Sequence, residues 1–203
     1  ENLVLYPNAE FSFVGHSNGT YLLAKSLKEY PACKFKNVVF AGSVVHKGFE
    51  WKRLIDEKRI SKVYNLVASS DWVVAMFPKA FQTLKLQDIG SGGFDGFTEK
   101  LDPEYQLKFV RGGHGAAIEE CYWNDIAHFI VHGVTSESLT KMAIHNRGFC
   151  MRVLGAIAPV PFLIILGILF FGLWAIYHNT NGVVFPVLMC LYLFCLWKVI
   201  YSF

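Results

Sequence analysis

The chemistry that this sequence could perform centres on a serine. Ser17 is the middle residue of the pentad GHSNG at residues 15–19, which has the G-x-S-x-G form. In a nucleophile elbow, such a serine occupies a strained turn between a buried strand and a helix, whose N-terminus points backbone N–H groups at a developing oxyanion. The apolar run 11–14 and the helix-like stretch 18–29 supply these two neighbours. Ser17 is therefore a candidate nucleophile, and the alternative is an ordinary turn serine between two glycines.

The elements that must position Ser17 alternate between strands and helices. Four apolar stretches predict strands, at residues 11–14, 36–45, 62–68 and 105–110, and the continuous apolar run with β-branched residues at 36–45 is typical of a buried parallel strand. Helical patterns follow them, at residues 18–29, 48–60, 73–84 and 116–132. The glycine-rich residues 88–100 are predicted to form a loop. This alternation predicts right-handed βαβ units and a parallel sheet.

Two further polar residues follow predicted strands, as Ser17 does. Ser17 follows the first strand, Asp71 the third and His114 the fourth. Because chemistry in such sheets gathers at the carboxyl ends of the strands, these residues are candidates for one site. Asp71 is also suited to capping a helix, a compatible role, and His114 alternatively is a loop histidine among glycines. Three other carboxylates between the third strand and the histidine are spare candidates for the acid: Asp88, Asp95 and Asp102.

The pattern resembles that of the α/β-hydrolases over about residues 5–133. GHSNG at residues 15–19 matches the elbow of that family, SSDWVV at 69–74 its acid turn, and GGHG at 112–115 its histidine loop. The chain order serine, aspartate, histidine also agrees with the family. The resemblance covers the second half of the usual fold. The segment between Asp71 and His114 is longer than in compact members of the family, because of the glycine-rich insert at residues 88–100.

The resemblance implies a role for each candidate. Ser17 Oγ attacks an acyl carbonyl, His114 takes its proton and returns it to the leaving group, and Asp71 holds the imidazole tautomer. The backbone N–H of Asn18 supplies one oxyanion donor. The family's second donor comes from a loop after an earlier strand, which we expect upstream of Glu1. No cofactor or metal is implied.

The charge distribution divides the chain into two regions. The 203 residues are 53% hydrophobic and include 19 basic and 16 acidic side chains, of which only Arg152 and Lys198 follow Cys150. Residues 153–177 and 183–203 are each long and apolar enough to cross about 30 Å of hydrocarbon as helices. We predict an α/β fold with a partial α/β-hydrolase sheet of about four parallel strands and flanking helices, followed by two transmembrane helices.

The domain boundaries follow from this division. We expect an N-terminally truncated α/β-hydrolase-like domain at residues 1–134, a linker at 135–152 and a transmembrane hairpin at 153–203. The linker either lies along the membrane surface or is a plain connection. The alternative to the hairpin is a buried apolar hairpin in a soluble core. The chain does not begin with Met, and we interpret it as part of a longer protein.

Basic residues predict the orientation in the membrane. They lie just before the first span and near the C-terminus, and the hairpin turn has none, so the globular region is expected to face the cytosol. Five cysteines without framework spacing agree with a reducing compartment. The nearly balanced charge of residues 1–150 gives no indication of nucleic-acid binding. His128 and His132 lie four residues apart, but without a third ligand we interpret them as a helix-face pair.

Two functions agree with these features. The first is a membrane-anchored serine hydrolase that cleaves carboxylic esters or thioesters, lipid esters among them, through an acyl-enzyme on Ser17. The second is a non-catalytic, membrane-anchored α/β-hydrolase-like binding subunit or effector with a protein partner. The second follows from the missing early strands, which leave one oxyanion donor unaccounted for and the first strand with an open edge.

Overall fold

The described strands form one parallel sheet in their order along the chain. The computed structural model describes residues 9–99, 105–144, 147–179 and 184–201. Its strands are β1 (Phe13–His16), β2 (Phe35–Ala41), β3 (Ile60–Ala68) and β4 (Tyr105–Val110), in the sheet order β1-β2-β3-β4. Each neighbouring pair is parallel. The predicted α/β class with a four-stranded parallel sheet and flanking helices is confirmed.

Helices connect the strands and continue beyond the sheet. In chain order they are α1 (Asn18–Glu29), α2 (Trp51–Asp56), α3 (Trp72–Leu84), α4 (Gly92–Asp95), α5 (Trp123–His132), α6 (Glu137–Met142), α7 (Phe149–Ala156), α8 (Pro159–Asn179) and α9 (Val184–Tyr201). Two 3₁₀ turns, Ala116–Ile118 and Glu120–Tyr122, precede α5. The helix expected at residues 116–132 therefore begins only at Trp123, because the extended backbone of Glu119 separates the two turns.

Helices pack on both faces of the sheet. Successive strand residues point to opposite faces, so Val38 and Phe40 of β2 join the core beneath α1 and α2, where Trp51 is fully buried. Val39 and Ala41 join the core on the other face, beneath α5. The continuous apolar pattern of the central strands is explained by this burial on both sides.

The glycine-rich segment is packed closely rather than forming the predicted plain loop. It contains α4, and its backbone pairs with the chain that follows β2: Gly90 N–H donates to Val44 O at 2.8 Å and Gly93 N–H to Ser43 O at 2.6 Å. A Cβ on Gly93 would lie 2.1 Å from the Ser43 nitrogen. Glycine is needed there because two backbones approach without room for a side chain.

The chain after the sheet contains one helix suited to a membrane. The structure has two compact units, Glu1–Pro159 and Val160–Phe203. Among the described residues, one helix, Pro159–His178, is long and apolar enough to cross a bilayer, with a mean hydropathy of 2.4 and only 6% of its 18-residue apolar stretch buried. The apolar stretch Phe185–Phe194 of α9 is shorter, so the second span stays a prediction. The long helix begins at Pro159 rather than at residue 153, because a turn at residues 157–158 precedes the proline.

Candidate active site

Ser17 has a strained backbone at the junction of β1 and α1. Its φ is 52° and its ψ is −122°, in a region that non-glycine residues seldom occupy. Such a conformation costs about 1–3 kcal/mol and persists only where the surroundings hold it. The N–H of Ser17 donates to Ala41 O at 3.1 Å, which fastens the turn to the end of β2.

Thr20 holds the same turn from within α1. Its side chain is fully buried, and Oγ1 donates to Ser17 O at 2.6 Å while it accepts from Val44 N–H at 3.1 Å. The turn is thereby tied to the chain beyond β2. Sequence reasoning did not single out Thr20, although a polar residue on the inward face of an amphipathic helix was a usable signal.

Gly15 and Gly19 of the pentad differ in their surroundings. A Cβ on Gly15 would lie 2.5 Å from Phe13 Cε1, whereas a Cβ on Gly19 would meet nothing within 4 Å. Of these two glycines, only Gly15 lies where a side chain would have no room. The packing of α1 leaves open space beside Gly19.

Asp71 makes contacts suited to both roles that the sequence suggested. It caps α3, since Oδ1 accepts from Val74 N–H at 3.0 Å. Its other oxygen, Oδ2, lies 2.9 Å from His114 Nδ1. The carboxylate is fully buried, and His114 retains 16% of its side-chain exposure. A carboxylate oxygen accepts in this contact and Nδ1–H of the imidazole donates, which leaves Nε2 as the ring nitrogen that can act as a base.

The loops that carry Asp71 and His114 are joined to each other. Ser70 N–H donates to Gly112 O at 2.8 Å, and Gly112 N–H donates to Ser69 Oγ at 3.3 Å. These bonds lie at the carboxyl ends of β3 and β4, which pair directly. The acid and the histidine are thus held by the backbone as well as by their own contact.

The ring of His114 lies over Gly42, the residue that follows β2. A Cβ on Gly42 would be 2.8 Å from His114 Cε1, and the φ of Gly42 is +54°. The N–H of Ser17 donates to the carbonyl of Ala41, the residue before Gly42, so the serine turn and the imidazole both lie beside the end of β2. Ser17 Oγ makes no hydrogen bond to another described residue.

A second histidine supports the first. His16 Nε2–H donates to the carbonyl of His114 at 3.1 Å, and the two rings are 4.7 Å apart between centroids. Burial lowers the pKa of His16 more than this hydrogen bond raises it, so its imidazole is neutral near pH 7. Sequence reasoning treated His16 only as a variable position of the pentad.

The first helical residue after Ser17 is Asn18, the expected oxyanion donor. Its exposed side chain caps nothing, and its backbone N–H has no acceptor among the described residues. The first N–H groups of any helix lack intrahelical acceptors. The Asn18 amide therefore lies beside Ser17 with its donor unused within the described chain.

The spare acids lie elsewhere. Asp88 accepts from Tyr21 Oη at 2.7 Å and from Lys25 Nζ at 3.2 Å, and the tyrosine bond is the main cause that lowers its pKa. Asp95 pairs with Lys79 at 2.8 Å. Asp102 lies outside the described residues. Of the described candidates, Asp71 is the one in contact with the imidazole of His114.

The histidine pair of α5 has a structural explanation. His128 Nδ1 is 3.0 Å from Val134 O, and its ring lies 4.7 Å from that of His132. The described residues contain no cluster of three or more histidine, cysteine or acidic side chains that could hold a metal ion.

Comparisons with protein-family models, curated proteins and solved structures give no match to this chain.

Proposed function

We propose that this protein is a membrane-anchored serine hydrolase with Ser17 as nucleophile. The observation that carries the proposal is the fully buried Asp71, whose carboxylate contacts His114 Nδ1 beside the strained turn of Ser17. A buried carboxylate that orients an imidazole is the arrangement that makes a neighbouring hydroxyl reactive. Ser17, Asp71 and His114 each follow the carboxyl end of a different strand of one sheet.

The proposed reaction is acyl transfer to Ser17 followed by hydrolysis. As Ser17 Oγ forms its bond to the acyl carbon, His114 Nε2 takes the hydroxyl proton and Asp71 stabilises the imidazolium. The Asn18 N–H donates to the oxyanion. The C–O or C–S bond to the leaving group then breaks, and the proton passes from Nε2 to that group. Water then attacks the acyl carbon while His114 Nε2 takes its proton. The bond between that carbon and Ser17 Oγ breaks, the proton passes from Nε2 to Oγ, and the carboxylic acid leaves.

We further propose that the sheet is the carboxy-terminal part of an α/β-hydrolase fold. Its sequential parallel order, the serine turn after β1, and the acid and histidine after β3 and β4 support this assignment. In that fold, earlier strands would pair with the outer edge of β1 and supply the second oxyanion donor.

The membrane anchor is a hairpin of α8 and α9 in this proposal. The length and composition of Pro159–His178 support the first span. The second rests on the apolar sequence of residues 183–203. The basic residues before the first span support a cytosolic α/β unit. The proposed substrates are carboxylic esters or thioesters, lipid esters among them, because the anchor holds the serine near a bilayer.

Labelling with a fluorophosphonate tests the nucleophile. Membranes that carry the protein in its natural length are treated with the probe, beside the variants Ser17→Ala and Ser61→Ala. Ser61 is an exposed serine of β3 and serves as the matched control. We expect wild type and Ser61→Ala to be labelled and Ser17→Ala to be unlabelled. Equal labelling of Ser17→Ala would overturn the proposal.

A non-catalytic binding subunit is the second candidate, and one observation favours it. The outer edge of β1 has no partner strand among the described residues, and Val14 on that strand is 47% exposed. An unpaired edge is a site for adding a strand from another chain. A folded, natural-length wild type that resists the probe and copurifies with a stoichiometric partner would favour this candidate.

A further inference from the structure

Helix α7, which lies just before the apolar helix in the chain, packs one of its sides on the core of the α/β unit. Met151 and Leu154 of α7 pack on a core cluster that includes Val74 and Phe94. Gly155 allows this contact, since a Cβ there would lie 2.3 Å from Phe94 Cε1. Helix α7 is thus a packed part of the sheet-containing unit.

Arg147 holds the start of the same segment. Its Nη1–H donates to Phe94 O at 2.6 Å, and its guanidinium lies 4.1 Å from the centre of the Phe94 ring. It also lies 3.6 Å from Asp95. A basic residue that the sequence assigned to orientation in the membrane therefore anchors α7 to the glycine-rich insert.

The outer side of α7 is apolar and exposed. Phe149, Val153 and Ile157 recur at intervals of four residues, which places them on one side of the helix and its end. They are 71%, 41% and 47% exposed. We call these three residues the α7 stripe. The neighbouring Cys150 and Arg152 are exposed as well.

We infer that the α7 stripe lies in the headgroup layer of a bilayer and seats the α/β unit on the membrane. The chain itself indicates that lipid covers the stripe. Helix α7 ends at Ala156, and Pro159 begins the helix that is long and apolar enough to span a bilayer. A bilayer that holds that helix has its boundary within a few residues of the stripe. An apolar stripe flanked by a basic residue is the pattern of an interfacial helix. The inference rests on the anchoring part of the proposed function and is independent of catalysis.

Spin labels on the full-length protein test the inference. In vesicles of phosphatidylcholine and phosphatidylserine, single-cysteine variants Phe149→Cys, Val153→Cys and Ile157→Cys are compared with Val131→Cys on α5 and Ile168→Cys on α8. The two control positions are 63% and 65% exposed, so their replacement removes little packing. A variant whose only remaining cysteine is the native, exposed Cys150 carries a spin label on α7 without any substitution in that helix.

Collision rates with dioxygen and with a water-soluble nickel chelate then report depth. We expect the α7 stripe and Cys150 labels to favour dioxygen more than Val131 does and less than Ile168 does. Stripe labels as accessible to the chelate as Val131, with Ile168 in lipid, would overturn the inference and leave the anchor standing. A spin label at Ile168 that is as accessible to the chelate as the one at Val131 would overturn both this inference and the proposed membrane anchor. Fluorophosphonate labelling of Ser17 would still test the catalytic proposal separately.

Discussion

Replacement of Asp71 by Asn separates the proposed catalytic role of this residue from its role as a helix cap. Asn keeps the size of the side chain, and its Oδ1 can still accept from Val74 N–H, now at 3.0 Å. The other atom becomes an amide that donates hydrogen bonds, and it faces His114 Nδ1 at the present distance of 2.9 Å. Two donors cannot share this contact, so the imidazole proton moves to Nε2, which then cannot accept the proton of Ser17.

The expected loss of reactivity is about 10⁴-fold, the scale found when a triad carboxylate becomes an amide. Stability should change little, because Asn and Asp cap helices about equally well. Asp71→Ala is the matched variant: it loses the cap, worth about 0.5–2 kcal/mol, and removes the acceptor of Nδ1–H on the partly buried His114, at about 1–3 kcal/mol. We expect it to be the less stable variant.

The assay is the second-order rate of fluorophosphonate labelling of the natural-length protein in membranes, with thermal unfolding measured on the same samples. If Asp71→Asn is labelled at a rate within about tenfold of the wild-type rate while Ser17→Ala stays unlabelled, Asp71 is not the triad acid and the reasoning is refuted. Equal destabilisation by Asn and Ala would show that the cap is not what Asp71 contributes to stability.

Three further predictions concern the neighbours of this pair. Ser17→Gly should be about 1 kcal/mol more stable than Ser17→Ala in thermal unfolding, because glycine relieves the positive φ; a more stable alanine variant would contradict the strain. Gly42→Ala should slow fluorophosphonate labelling and lower the free energy of unfolding by about 1–2 kcal/mol, since its Cβ would meet His114. Gly19→Ala is the control and should be labelled at the wild-type rate, because open space surrounds its Cβ. Burial holds the pKa of His16 below its ordinary 6.5, so below that pH the unfolded chain binds a proton that the folded chain does not, and stability falls. His16→Gln should show a shallower loss of unfolding free energy between pH 7 and pH 5 in denaturant titrations, and an unchanged slope would exclude this linkage.

The elements that could be predicted are those with a strong local pattern. The predicted bounds of β4 at 105–110 and of α1 at 18–29 agree with the structure, because apolar runs and periodicity mark them directly. The extended segment expected up to residue 45 instead ends as β2 at Ala41, where Gly42 turns the chain with a positive φ. Helix α4 was missed because the glycines that form it are held by backbone bonds to residues far away in sequence.

The parts of the candidate site that were missed depend on contacts between distant segments. Thr20 matters through its bond to Val44, and Gly42 through the ring that lies over it. His16 matters through its bond to the His114 carbonyl, 98 positions later in the chain. No local pattern encodes such contacts, whereas Asp71 and His114 could be nominated because parallel strands bring their carboxyl ends to one edge.

The order of the strands has a consequence for folding. Each strand pairs with the one before it, so the sheet can grow by adding one short-range unit at a time. Ser17 follows β1, while Asp71 and His114 follow β3 and β4, with β2 between them. A chain that has assembled two or three strands therefore has a sheet, but it has not yet brought Ser17, Asp71 and His114 together. Reactivity of Ser17 towards the probe, followed during refolding, would report the arrival of the last strand rather than the first collapse.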